Sequence, residues 1–190
     1  MVNLYLDGCS FTYGMGLDEK EKLDHLFKTS GYNVLNFSRL GKSNIAIAQD
    51  TYNNSNNADV FVLGFTFAER FHFKYNLYDI NLLPSNITWP TDSEQVQGTE
   101  IENILQSLHK NFYLLFDSNH WGNLSDMLVD NTINNLKFKN KKVFAFSWQS
   151  RQTQNKVLCP VIPNRFPDGH LNNIGTKKLF DIIQDGLGSP

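Results

Sequence analysis

The segment Ala58-Asp59-Val60-Phe61-Val62-Leu63-Gly64-Phe65 decides the fold class of this sequence. From Val60 onward it is continuously apolar, which is typical of a parallel β-strand covered on both faces. Three further β-prone runs occur along the chain, namely Val2–Leu6, Asn33–Phe37 and Lys142–Trp148. Segments with helical spacing or capping patterns separate them, at 18–28, 43–52, 99–116, 124–136 and 172–184.

This alternation predicts an α/β fold, with a mostly parallel sheet of about 4–5 strands between helices on both faces. Ligands should then bind beside the carboxyl ends of the strands. We expect one domain, 1–190, in which 67–98 forms a long insertion rather than a second domain. The aromatic residues of that insertion could wall a binding cleft or form a satellite core under a long loop.

Composition and charge narrow the function classes. The formal net charge is −2 and the basic residues are scattered, which argues against nucleic acid or an anionic membrane as the main partner. The chain starts without a basic signal region, and no apolar stretch approaches the ~20 residues of a membrane span. We therefore expect a soluble, cytoplasmic protein. Cys9 and Cys159 match no zinc spacing and are expected to be free thiols, with one disulfide left open.

Two short motifs at opposite ends of the chain carry the candidate chemistry. Gly8-Cys9-Ser10-Phe11-Thr12-Tyr13-Gly14 follows the first predicted strand, so the hydroxyl of Ser10 can face the ligand crevice. Asp168-Gly169-His170-Leu171-Asn172 opens the final predicted helix and places an acid beside a histidine, as a base and its orienting carboxylate require. Read singly, each motif is equally compatible with a helix-entry turn. Together they predict a serine–histidine site at one edge of the sheet.

The order of these blocks resembles the SGNH/GDSL hydrolase family. Gly8-Cys9-Ser10-Phe11-Thr12 matches the Gly-Asp-Ser block with Cys9 in place of the usual Asp, and Leu40-Gly41-Lys42-Ser43-Asn44 looks like the second block. The resemblance implies a flavodoxin-like three-layer fold with Ser10 as nucleophile and the Gly41 N–H as an oxyanion donor. It also implies that His170 and Asp168 are the catalytic base and acid, although the family usually has two residues between them rather than one.

The third block departs from the family pattern Gly-x-Asn-Asp. The predicted strand ends Leu63-Gly64-Phe65-Thr66-Phe67, so Thr66 stands where the asparagine that donates to the oxyanion is expected. Asn44 or Arg70 could substitute if their loops fold inward, and Arg70 would suit a carboxylate or phosphate on the substrate. Salt-bridge formation with a surface acid is the alternative for Arg70.

The sequence predicts a serine-dependent ester hydrolase that needs neither cofactor nor metal. Small O-acyl esters of a sugar or glycan are the expected substrates, because a polar, aromatic insertion suits carbohydrate better than long acyl chains. Should the acid fail to reach the imidazole, a Ser10–His170 dyad remains. A non-catalytic binding or scaffold protein is the alternative from another class, favoured by Thr66 and by the short Asp168–His170 spacing.

Overall fold

Four parallel strands form the centre of the protein. The structure is a computed structural model that describes residues 1–75, 78–82, 87–88, 100–114 and 117–188. The sheet has the order β2-β1-β3-β7, built from β1 (Val2–Gly8), β2 (Tyr32–Asn36), β3 (Val60–Phe65) and β7 (Lys142–Ser147). Every neighbouring pair is parallel, which confirms the predicted α/β fold class. Both central strands, β1 and β3, are largely buried, as their continuous apolar runs require.

Helices cover both faces of this sheet. The described helices are α1 (Ser10–Tyr13), α2 (Leu23–Thr29), α3 (Asn44–Asn53), α4 (Glu100–Leu114), α5 (Ser118–Phe138) and α6 (Asn173–Leu187). Side chains of α2 and α6, such as Phe27 and Ile183, pack with Leu4 and Val62 on one face. Side chains of α3 and α5, such as Ile47 and Ile133, pack on the other face. The result is the predicted three-layer sandwich.

Several predicted boundaries change. The segment 18–28 is divided into a 3-10 turn, Glu19–Glu21, and α2, because Lys22 between them has the extended conformation of φ −71° and ψ 151°. Helix α5 starts at Ser118 instead of 124. The Asp117 side chain caps it by accepting hydrogen bonds from the backbone N–H groups of Asn119 and His120.

The predicted insertion contains a second, smaller sheet. Strands β4 (Phe71–Tyr75), β5 (Tyr78–Leu82) and β6 (Ile87–Thr88) pair antiparallel in the order β4-β5-β6. Residues 83–86 and 89–99 lie outside the described residues, so the aromatic wall expected from this insertion, with Trp89 in it, stays a prediction.

Within the described part of the chain, none of the helices is long and apolar enough to cross a membrane.

Candidate active site

Ser10 lies at the carboxyl end of the central strand β1, where α1 begins. Its side chain is almost completely buried. Gly8 of β1 is in register with Gly64 of β3, and a Cβ atom on either glycine would lie 2.2 Å from Thr12 Oγ1. Glycine at both positions therefore lets the first turn of α1 cross the two strand ends at close range. This close approach fixes the place of Ser10 over the sheet edge.

His170 reaches the same place from the other end of the chain. Its loop is closed by a turn in which Gly169, with φ +88°, donates its N–H to the Phe166 carbonyl at 3.0 Å. Asn172 then caps α6 by accepting from the Gly175 N–H at 3.0 Å. His170 Nε2 lies 3.0 Å from Ser10 Oγ. The structure thus brings together two residues that are 160 positions apart in sequence.

Asp168 reaches the imidazole despite the short spacing. Its Oδ2 lies 3.1 Å from His170 Nδ1, and its Oδ1 accepts the His170 backbone N–H at 3.0 Å. The buried Nδ1 has no well-aligned acceptor among the described residues, so the contact is an ion-pair distance without good hydrogen-bond direction. The hydrogen bond from the His170 backbone N–H, and after it the nearby imidazole, lower the pKa of Asp168. This carboxylate is 56% exposed, which weakens its hold on the ring.

An aromatic shelf, formed by Phe11 and Trp148, supports the histidine. Phe11 stacks on the His170 ring with centroids 4.6 Å apart, and Trp148 lies 5.0 Å from Phe11. The Arg165 guanidinium lies 5.4 Å from the Trp148 ring centroid, and it donates to the carbonyls of Ile162 at 3.0 Å and Gly169 at 2.5 Å. Arg165 therefore fixes the loop that carries His170. The sequence patterns did not single out Arg165, because its contacts are with backbone carbonyls.

Gly41 lies in the loop after β2. The Arg39 N–H donates to the Gly8 carbonyl at 3.1 Å, so the loop after β2 runs beside the loop that leads from β1 to Ser10. Gly41 is buried and has φ +68°, a left-handed conformation that favours glycine. None of the hydrogen bonds among the described residues uses its N–H.

The side-chain amide of Asn44, which the sequence offered as a possible oxyanion donor, is engaged by Thr66 and Ser125. Both hydrogens of its amide are used, one by the Thr66 carbonyl at 3.0 Å and one by Ser125 Oγ at 2.9 Å. Its Oδ1 accepts the Thr66 N–H at 2.8 Å. Asn44 thus fixes the chain where it leaves β3, and in this arrangement it has no N–H left to donate.

The backbone of Thr66 is held on both sides by hydrogen bonds to other side chains. The carbonyl accepts from Asn44 and also from Arg151, whose guanidinium binds Ser147, Ser125 and Asp126 as well. Thr66 Oγ1 is buried and has no hydrogen-bond partner among the described residues. An unpaired buried hydroxyl is costly, so it marks a place where a ligand or water could supply the missing partner. Arg151 was not recognised from the sequence.

Arg70 is connected with the site through aromatic side chains. Its guanidinium covers the Phe67 ring at 5.4 Å, and Phe67 in turn meets the Phe11 ring edge-on at 6.4 Å. Its Nη1 is buried without a hydrogen-bond partner among the described residues. The guanidinium is therefore separated from the His170 ring by two aromatic side chains.

Other features of the described residues have no part in the proposed chemistry. A groove of about 440 Å³ between α3 and α5 is lined by side chains such as Ile45, Tyr52 and Leu128, and it includes none of the candidate residues. No group of three metal-ligating side chains is found in the described ranges. Cys9, buried beside Ser10, and the exposed Cys159 are both free thiols.

Comparisons with known proteins yield similarities of fold alone. No family model matches the chain, and no curated protein matches it. The solved structure of TesA is 11% identical over 97% of this chain and 74% of TesA, with a TM-score of 0.43. A protein described as a lipolytic member of the G-D-S-L family, from Desulfitobacterium hafniense DCB-2, is 13% identical over 97% of this chain and 99% of its own, with a TM-score of 0.42. In the present structure, a serine after β1 and a histidine before α6 meet at one edge of a parallel sheet, as the sequence motifs predict.

Proposed function

We propose that the protein is a serine-dependent ester hydrolase. The observation that carries this proposal is the 3.0 Å distance between Ser10 Oγ and His170 Nε2, with Asp168 Oδ2 3.1 Å from the other ring nitrogen. A nucleophile, a base within hydrogen-bond reach and a third group beside the base make up a covalent catalytic site. The Gly41 N–H, which has no acceptor among the described residues, lies in the neighbouring loop and supplies the electrostatic component.

The reaction begins with the neutral imidazole of His170. Its Nε2 accepts the Ser10 hydroxyl proton as Oγ attacks the acyl carbon, and Nδ1 keeps its hydrogen on the side of Asp168. The tetrahedral intermediate collapses when the C–O bond to the alcohol breaks and His170 returns the proton to the leaving oxygen. Water then attacks the acyl-Ser10 ester, again with His170 as base, and releases the carboxylic acid. The net change is ester plus water to acid plus alcohol.

The negative charge on the oxygen of the tetrahedral intermediate requires hydrogen-bond donors to stabilise it. The backbone N–H groups of Ser10 and Gly41 are assigned to this role, because each belongs to a loop that leaves the same sheet edge. The Thr66 hydroxyl is the third donor in the proposal, since it is buried and lacks a partner among the described residues. It would replace the longer amide that the family pattern has at this position. Removal of one such donor typically costs about 10²–10³ in rate.

The substrates that we propose are small O-acyl esters of carbohydrates. Half-buried aromatic side chains lie beside the site, since Phe11 stacks on His170 and Trp148 lies 5.0 Å from Phe11, and flat aromatic faces pack well against sugar rings. The Arg70 guanidinium lies beyond Phe67 and is assigned to an anionic group on the same substrate, at a distance from the reacting ester.

Reaction with a fluorophosphonate probe tests the proposal, because the probe phosphonylates only an activated serine. Wild-type protein should be labelled at Ser10, and both Ser10→Ala and His170→Ala should abolish labelling. Ser30→Ala, at the exposed end of α2, is the matched control and should be labelled like wild type. Turnover of acetylated sugars and of p-nitrophenyl acetate should fall at least ~10³-fold in Ser10→Ala.

The alternative is a binding protein with a fold of this kind. The exposed Asp168 and the poorly directed Nδ1 contact favour it. On this alternative, the wild type fails to react with the fluorophosphonate and turns over no ester above background. Carbohydrate binding would then persist in Ser10→Ala.

A further inference from the structure

A buried lysine connects the loops on which the two backbone donors lie. The side chain of Lys42, the residue after Gly41, is 0% exposed. Its Nζ donates to Asp7 Oδ1 at 2.5 Å and to the Phe37 carbonyl at 3.1 Å, and it lies 2.7 Å from Asp50 Oδ2. All its donors are therefore directed into the protein, and none is directed to solvent.

Asp7 completes this connection from the side of β1. Its carboxylate is also 0% exposed and accepts from the Gly8 N–H at 2.7 Å and from the Tyr5 hydroxyl at 2.9 Å, in addition to Lys42. Asp7 lies three residues before Ser10. The ion pair thus joins the strand end that leads to the nucleophile with the loop that leads to Gly41.

The location of the pair is informative because of its free-energy cost. Two buried charges lose their hydration, and apolar side chains of similar volume are often as stable or more so. A general need for stability therefore does not account for a fully buried ion pair under a candidate site. A need for fixed geometry accounts for the pair, since charge-assisted hydrogen bonds hold the two loops in one relative position.

We propose that Asp7 and Lys42 are positioning residues that set the loop of Gly41 against the loop of Ser10. The inference rests on the proposed function insofar as the two backbone N–H groups act on an oxyanion. One backbone hydrogen bond joins the two loops directly, because the Arg39 N–H donates to the Gly8 carbonyl at 3.1 Å. Protection of this N–H from exchange therefore shows whether the loops are held together. Neither Asp7 nor Lys42 touches the substrate in this proposal.

The test replaces the pair by neutral side chains of similar shape, in Asp7→Asn/Lys42→Met. Amide hydrogen exchange at Arg39, followed by NMR, should become at least ~10-fold faster, whereas exchange at Val62 in β3 should be unchanged. The kcat for p-nitrophenyl acetate should fall about 10²-fold, with KM within about threefold, because an oxyanion donor acts in the transition state. Lys28→Met, which breaks the exposed pair between Lys28 and Asp24, is the matched control and should change neither readout.

Unchanged exchange at Arg39 overturns the inference, whatever the kinetics show. So does faster exchange with wild-type kcat in an active protein. If wild type reacts with neither ester nor fluorophosphonate, the proposed function fails, and the exchange at Arg39 alone decides whether the pair fixes the loops. Should the double variant not fold, Asp7→Asn serves for the same two measurements, because Lys42 keeps its contact with Asp50 there.

Discussion

Replacing Asn44 by alanine tests whether this residue supports the site or donates to the oxyanion. In the structure, its amide makes three buried hydrogen bonds, to the carbonyl and N–H of Thr66 and to Ser125 Oγ. After Asn44→Ala, Arg151 still donates to the Thr66 carbonyl and to Ser125 Oγ. The Thr66 N–H is the group that loses its partner.

The expected loss of stability follows from these hydrogen bonds. One orphaned buried N–H costs about 1–3 kcal/mol, and the space left by the amide adds about 1 kcal/mol. We expect the free energy of unfolding to fall by about 2–4 kcal/mol, which lowers Tm by roughly 2–4 °C for each kcal/mol in a domain of this size. Urea unfolding should show a lower midpoint with an unchanged m-value. Asn53→Ala, at the exposed end of α3, is the control and should stay within about 0.5 kcal/mol of wild type.

The opposite result would refute the reasoning. If Asn44→Ala is as stable as wild type while kcat falls by about 10²–10³, Asn44 is an oxyanion donor and the bonds to Thr66 do not persist in solution. A loss of both stability and activity agrees with the support role, since Thr66 would then be displaced. Measuring unfolding and turnover on the same preparation separates these outcomes.

Three further perturbations test single side chains. Asp168→Asn should lower kcat about 10- to 10²-fold. This is less than for a buried triad acid, because Asp168 is half exposed. A change of less than threefold would show that Asp168 serves only in the turn. Thr66→Val should lower kcat about 10-fold or more at unchanged KM, and Thr66→Asn should restore kcat. Equal kcat in wild type and both variants would show that the Thr66 hydroxyl takes no part in catalysis. Burial raises the pKa of Asp7 to about 7 although Lys42 opposes it. The folded state therefore binds more protons between about pH 4 and pH 7, so this residue's contribution to stability falls as pH rises through that range. Thermal unfolding of Asp7→Asn across these pH values should lack that slope, and an identical slope in both proteins would show that Asp7 is not its source.

The sequence predicts the sheet because the signals for its strands are local. Continuous apolar runs such as Val60–Phe65 are legible without knowledge of neighbours, and the predicted strands lie within about two residues of the observed ones. Helix boundaries depend on single caps and breaks. The Asp117 cap lets α5 start at Ser118, six residues before the predicted place.

The residues of the candidate site also fall into two groups, those that local motifs predict and those that they do not. Ser10, Gly41 and His170 are predicted because each lies in a short motif at a strand end or helix start. The residues that support them act across large separations in sequence, as when Asn44 binds Ser125 and Arg151 binds the Thr66 carbonyl. A single sequence contains no signal for such pairs, since any buried Asn or Arg could satisfy many partners. The role first considered for Asn44 is chemically reasonable, and in the structure its amide instead binds Thr66 and Ser125.

The chemistry of the supporting residues bears on the choice between an enzyme and a binding protein. Asp7, Lys42, Asn44 and Arg151 are almost completely buried, and Arg165 is partly buried; each makes polar contacts to the loops around the candidate nucleophile. Apolar side chains could fill the same volumes without the cost of desolvating charges and amides. What directed hydrogen bonds add is a loop geometry fixed to a fraction of an ångström, and transition-state stabilisation needs that precision more than ligand binding does. A binding protein has less need of such support, so the presence of these contacts around the candidate nucleophile favours the hydrolase that we propose.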